Sequence, residues 1–202
     1  MPDSHTDTSA ADTLRAALAG ATIEPAASTD MPTAYVDREH VIDACQALRD
    51  HPALQFALLV DVTAVDFYPA QPRFEIVYHA ACLGDAFRTA GNTAAAPARR
   101  FRLKVRLPGV EARVPSVTSI YPTANWLERE VFDLMGITFE GHPDLRRILM
   151  ADDWVGHPLR KDYPVQIRKD TQSWSALQLS PEEFAANVRA ARERAGRDAE
   201  KK

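Results

Sequence analysis

Arg100 to Leu107 reads RFRLKVRL. Phe101, Leu103, Val105 and Leu107 alternate without a break with Arg100, Arg102, Lys104 and Arg106. A period of two puts the apolar set on one face of a strand and the basic set on the other, so one face is buried and one is wet. The basic face reads as solvated rather than as a docking stripe. Working back along the chain, Phe74 to Cys82 (FEIVYHAAC) is a second strand, and Phe56 to Val65 (FALLVDVTAV) is apolar enough for a central one. The Ala-rich stretch RTAGNTAAAPA between the last two strands reads as a long hairpin loop. Before them comes a helix over Arg38–Asp50, with Val41, Ile42, Cys45 and Leu48 at helical spacing, Asp37 as its cap and His51-Pro52 as its stop. Short strands at Ala21 to Glu24 and Thr33 to Val36, and a helix over Thr13 to Ala19, complete this half. The order helix, two strands, helix, three strands predicts an α+β two-layer domain over residues 13–110 with helices on one face of a mixed sheet.

Composition narrows the function. The chain has 202 residues, 46% apolar and 26% charged, with a net charge of −4. Nothing here suits nucleic-acid binding. No apolar run nears the ~20 residues of a membrane span. Residues 1–12 are polar and acidic, read as disordered and without a secretory pattern, so the expected location is cytosolic or on the cytosolic face of a larger body. The two cysteines, Cys45 and Cys82, stand alone in apolar contexts and read as buried thiols. Two cysteines cannot hold an iron–sulfur cluster within the chain.

After Pro108 the prolines at 115, 122, 143, 158, 164 and 181 predict an irregular helix-and-loop extension. Residues 111–164 hold a strong helix, ANWLEREVFDLM, with Thr123 as cap and Gly136 as left-handed terminus. Leu127, Val131, Phe132, Leu134 and Met135 share an apolar arc, with Arg129, Glu130 and Asp133 opposite. Glu128 falls inside that arc and so needs a partner or a proton; Arg146 or Arg147 is the expected ion pair, and a general acid is the sharper alternative. Trp126 falls on the polar side, as interface tryptophans do. Residues 165–179 read as an extended arm, and SPEE at 180–183 caps a last charged helix.

The stretch GHPDLRRILMADDWVGHPLRKDYP, residues 141–164, repeats Gly-His-Pro after fifteen residues. His142, Asp144, Asp152, Asp153 and His157 are metal-ligand types, but no two histidines share a helix face. Nucleophilic catalysis lacks its Ser, Thr or Cys. Phosphate capture by Arg146, Arg147, Arg160 and Lys161 lacks a glycine-rich loop and is balanced by Asp144, Asp152, Asp153 and Asp162. The structural reading prevails: rigid corners, Arg–carboxylate pairs, and anchors at Ile148, Leu149, Trp154, Leu159 and Tyr163, as at a permanent subunit interface. A stand-alone metal-dependent hydrolase and a free assembly adaptor remain the competing classes.

The run from Ala124 to Pro164 resembles the signature of the C subunit of bacterial NADH:quinone oxidoreductase, respiratory complex I. Glu128, Arg129, Glu130, Asp133, Gly136, Phe139, GHPDLRRIL at 141–149, Trp154 and PLRKDYP at 158–164 carry it, and LLVDVTAVD at 58–66 is similar too. The histidine at 157 is the weakest element of the match. The resemblance implies a peripheral-arm subunit on the cytoplasmic side of the cell membrane with no cofactor of its own, FMN and iron–sulfur clusters lying in partner subunits. It implies docking to the D subunit, which bears the quinone site, and to cluster-bearing subunits. The whole would be a proton-pumping enzyme that passes electrons from NADH to quinone; relatives serving other carriers share the motif. The resemblance implies interface or structural roles for Trp126, Glu128, Arg129, Glu130, Asp133, His142, Asp144, Arg146, Arg147, Trp154, Arg160, Lys161, Asp162 and Tyr163. The charged end of the chain suits the form that is not fused to the D subunit.

Overall fold

A computed structural model describes residues 8–84 and 98–164. Helix α1 is Thr8–Ala17, β1 Ile23–Ala26, β2 Thr33–Val36, α2 Val41–Asp50, β3 Leu58–Asp66, β4 Phe74–Cys82, β5 Arg99–Leu107, β6 Arg113–Pro115, α3 Ala124–Met135 and β7 Thr138–Glu140. The five-stranded sheet has the order β1-β2-β5-β4-β3. It is mixed, because β2 runs parallel to β5 while the other neighbours are antiparallel. The α2 crossover therefore carries the chain from β2 past two strands to the far edge.

The alternation of RFRLKVRL is realised: Phe101, Leu103, Val105 and Leu107 are fully buried. They share one apolar cluster with Phe74, Ile76 and Tyr78 of β4, Leu14 of α1, Val41, Cys45 and Leu48 of α2, and Val131 of α3. The basic side of β5 is partly ion-paired rather than wholly solvated, with Arg100 and Arg106 left exposed. Arg102 meets Asp30 at 2.7 Å and Lys104 meets Glu75 at 2.7 Å.

Several expectations need correction. The first helix starts at Thr8, so residues 8–12 are ordered. The first strand lies two residues later than expected. β3 is an edge strand, not a central one. Its apolar run arose because Leu59, Val62 and Ala64 face the core while Leu58 and Val60 stay exposed; apolar content cannot tell an edge from a centre. Asp37 makes no side-chain cap: a 3-10 turn, Arg38–His40, precedes α2, and the Asp37 carboxylate instead accepts the Thr22 N–H. The extension also holds a second, parallel sheet of β6 and β7, whose three-residue strands are too short for alternation to register. The Ala-rich hairpin loop, the arm at 165–179 and the last helix lie outside the described residues, bar the loop's final alanine.

Candidate functional site

The site is α3 and the segment that wraps it. ANWLEREVFDLM has no Gly or Pro inside and one β-branched residue, so it holds a helix well. It stops at Gly136, whose φ of 69° is left-handed. A Cβ there would also lie 2.6 Å from Arg160 Nη2, so the Arg160 side chain would have to shift, while the φ is what requires glycine. Thr123 does not cap the helix. Its hydroxyl donates to Leu59 O at 3.4 Å, which ties the helix start to β3.

The face that α3 buries is not its apolar arc alone. Glu128 and Asp133 are fully buried and Arg129 nearly so, whereas Leu127, Phe132, Leu134 and Met135 are only half-buried. The helix is covered on two sides: the core takes Val131, and residues 142–163 fold back over the polar side. Glu130 stays exposed, and so does Trp126 at 62%, with the Arg129 guanidinium 5.1 Å from its ring centre.

The wrapping segment is held by side chains bonding to backbone. The His142 ring bonds Asn125 O at 3.1 Å, and the His157 ring bonds Asp133 O at 2.9 Å. The doubled Gly-His-Pro thus places one histidine at each end of α3. Those carbonyls are eight residues apart, about 12 Å along the helix, so the two rings do not converge on a metal. Among the described residues, no group of three or more His, Cys, Asp or Glu side chains is placed to hold a metal ion. Arg129 donates to Arg146 O and Arg147 O. Arg160 donates to Met135 O and Gly136 O, the orphan carbonyls at the helix end. Arg147 spans Asp133, Trp154 O and Gly156 O. Tyr163 donates to Val155 O at 3.2 Å and packs on Gly156, where a Cβ would lie 2.8 Å from its ring.

Asp133 is the hub. Its carboxylate accepts Arg147 Nη1 at 2.6 Å and the consecutive N–H groups of Ile148, Leu149 and Met150 at 3.0, 2.8 and 2.8 Å. Burial pushes this carboxyl up, but the Met150 amide, Arg147 and the other two amides outweigh it and hold it at about 2. A second lock ties the segment to the sheet. Arg73 forks to Asp66 at 2.9 and 2.8 Å and to Asp162 at 2.9 and 2.6 Å, and Lys161 N–H reaches Asp66 at 2.9 Å. Hydrogen bonds from Arg73 depress both carboxyls and raise the guanidinium in turn.

Some expected pairings are therefore wrong. Glu128 meets neither Arg146 nor Arg147: it accepts Ser116 Oγ at 2.7 Å and Val117 N at 2.8 Å. Arg146 pairs with Asp144 at 2.8 Å, as charge balance suggested, but Arg160 caps a helix instead of meeting an acid, and Lys161 contributes its backbone. Trp154 is half-buried, and its ring N–H has no partner among the described residues. Asp66, Arg73 and Ser116 were missed. Asp66 was legible: it follows Val62 and Ala64 on the inward face of β3, where a carboxylate must have a partner. Ser116 carried no signal.

Residues 34–169 match the family described as the 30 Kd subunit of respiratory-chain NADH dehydrogenase. The NADH-quinone oxidoreductase C subunit of Geobacter sulfurreducens is 49% identical over 136 residues, 66% of this chain and 75% of its own. The C subunit of Geotalea uraniireducens is 41% identical over 167 residues, 82% of this chain and 93% of its own. Among solved structures, a chain of an archaeal membrane-bound sulfane sulfur reductase, a respiratory membrane complex, is 26% identical with a TM-score of 0.55, over 71% of this chain and 78% of its own. A trypsin-resistant fragment of Nqo5 is 31% identical with a TM-score of 0.46, over 66% of this chain and 95% of the fragment. The chain belongs to the family of the 30 kDa subunit of respiratory-chain NADH dehydrogenase, the C subunit of NADH-quinone oxidoreductase.

Proposed function

We propose that this chain is a structural, cofactor-free subunit of the peripheral arm of a proton-pumping NADH:quinone oxidoreductase. It docks the D subunit at the quinone site and cluster-bearing neighbours, while FMN and iron–sulfur clusters in partner subunits carry electrons from NADH to quinone. The assembly lies on the cytoplasmic side of the cell membrane, and this chain attaches through its partners. Family membership supports the assembly; among the described residues, no helix is long and apolar enough to cross a membrane.

One observation carries the docking role. Arg129, Asp133, Arg147 and Arg160 of the signature turn inward onto backbone, while large apolar side chains of the same region point out: Trp126 62%, Leu149 62%, Val155 85% and Leu159 54% exposed. Exposed aromatic and aliphatic anchors on a rigid frame are what a permanent interface uses. The hydrolase reading has no such support, since both of its histidine rings are engaged by α3 carbonyls.

The test has two arms. The purified chain is assayed for flavin, iron and NADH oxidation, with none expected in stoichiometric amount; bound flavin or iron overturns the cofactor-free reading. The double substitution Leu149→Asp with Val155→Asp is then placed in cells. The purified variant should keep its melting temperature while the membrane-bound complex loses the chain. Normal assembly of the variant overturns the docking face.

A further inference from the structure

Four carboxylates are buried among the described residues: Asp66, Glu75, Glu128 and Asp133. Three are neutralised by a base, Asp66 by Arg73, Glu75 by Lys104 and Asp133 by Arg147. Glu128, with no exposed surface at all, is in no ion pair among the described residues. Its neighbours in charge and titration are the Cys45 thiol of α2 and the Tyr78 phenol of β4, both buried and neutral at physiological pH, their ionisation opposed by burial and by the Glu128 charge. Arg129, next to it on α3, turns away to the carbonyls of 146 and 147. A carboxylate so placed has every reason to hold a proton.

It also has a route to exchange one. Ser116 Oγ lies 2.7 Å from Glu128 Oε2 and 2.9 Å from Thr118 Oγ1, in a contact where either hydroxyl can donate. Ser116 is buried, Thr118 is half-exposed, and Ser119 beyond it is exposed. Two hydroxyls therefore join a sealed carboxyl to the surface in hydrogen-bonding steps.

We propose that Glu128 is a reversible proton-binding site that exchanges with solvent through the Ser116 and Thr118 hydroxyls. In the charged state Thr118 O–H donates to Ser116 Oγ, and Ser116 O–H donates to Oε2. A proton delivered by hydronium to Thr118 Oγ1 displaces the Thr118 proton to Ser116, and the Ser116 proton passes to Oε2. One water is released, each O–H bond broken is replaced by another, and the carboxyl now donates to Ser116. Burial, opposed by the Ser116 and Val117 bonds, sets the midpoint at about 7. The site is independent of the docking role proposed above.

The test is infrared difference spectroscopy of the full chain across pH in H2O and D2O. A protonated-carboxyl band is expected at about pH 6 and should be lost by about pH 8.5. It should vanish in Glu128→Gln, and its midpoint should rise in Ser116→Ala, which removes a donor to the charged form. Thr118→Val should keep the midpoint and slow hydrogen–deuterium exchange of the band at least several-fold. Absence of the band from the unsubstituted chain at about pH 6, a measurement that needs no variant, overturns the site. Unchanged exchange in Thr118→Val overturns the route.

Discussion

Replacing Asp133 by asparagine tests the hub of the signature segment with almost no change of shape. The carboxylate accepts one guanidinium N–H and three consecutive amides. Asparagine has one acceptor oxygen, and its NH2 group would face either Arg147 or the amides of 148–150, donor against donor. The folded chain holds this carboxyl at about 2, below its ordinary 3.8. At about 1.4 kcal/mol per pH unit the difference is at most about 2.5 kcal/mol, and because only a thin loop covers Asp133, solvent screening trims it to about 1–2 kcal/mol. That share is present above 3.8 and is lost as pH falls from 3.8 through about 2. Unpairing Arg147 adds to it, and the expected total is the lower part of the ~3–5 kcal/mol range for breaking a buried pair. The cost falls first on residues 146–157, so the assay is hydrogen exchange resolved to single amides. Ile148, Leu149 and Met150 should be protected in the parent chain and lose roughly 100-fold of that protection in Asp133→Asn, as about 3 kcal/mol implies. The melting temperature should fall by roughly 6–12 °C. Unchanged protection of these three amides refutes the hub.

Gly136→Ala forces a non-glycine residue to φ 69° and makes the His157 and Arg160 side chains shift, so urea unfolding should show a loss of about 1–3 kcal/mol; an unchanged midpoint contradicts the need for glycine. Arg73→Met leaves Asp66 buried without its base and frees Asp162, so limited trypsin digestion after Arg160 and Lys161 should accelerate at least tenfold. Trp126→Ser removes a largely exposed ring and should change stability by under about 1 kcal/mol while lowering recovery of the chain in the membrane-bound complex. Glu128, raised from 4.5 to about 7, favours the fold fully below pH 4.5 and loses that share as pH rises through about 7. The stability of the parent chain relative to Glu128→Gln should therefore fall by about 3 kcal/mol over that window, and parallel profiles for the two chains would contradict it.

The sheet was legible because its signal is local. Alternation in RFRLKVRL sets the faces of β5 whatever lies next to it, and the helical spacing of 124–135, ended by Gly136, sets α3. The motif 128–164 marked the family. Strand order was not legible, since apolar content in β3 is the same at an edge as at a centre, and β6 and β7 were too short to leave a period.

What the sequence alone determined was the two faces of β5, the span of α3, and that Glu128 breaks an apolar arc. What only the tertiary structure decided was every pairing. Asp133 chose Arg147 and three amides, Arg160 chose carbonyls, Arg73 bridged residues 66 and 162, and Glu128 found hydroxyl and amide donors instead of a base. The reason is physical: a hydrophobic period depends on neighbours a few residues away, whereas a buried charge takes whatever donors the folded chain brings to it. Sequence spacing puts Arg146 and Arg147 near Glu128, but the return of residues 142–163 over the opposite side of α3 carries both arginines away from it.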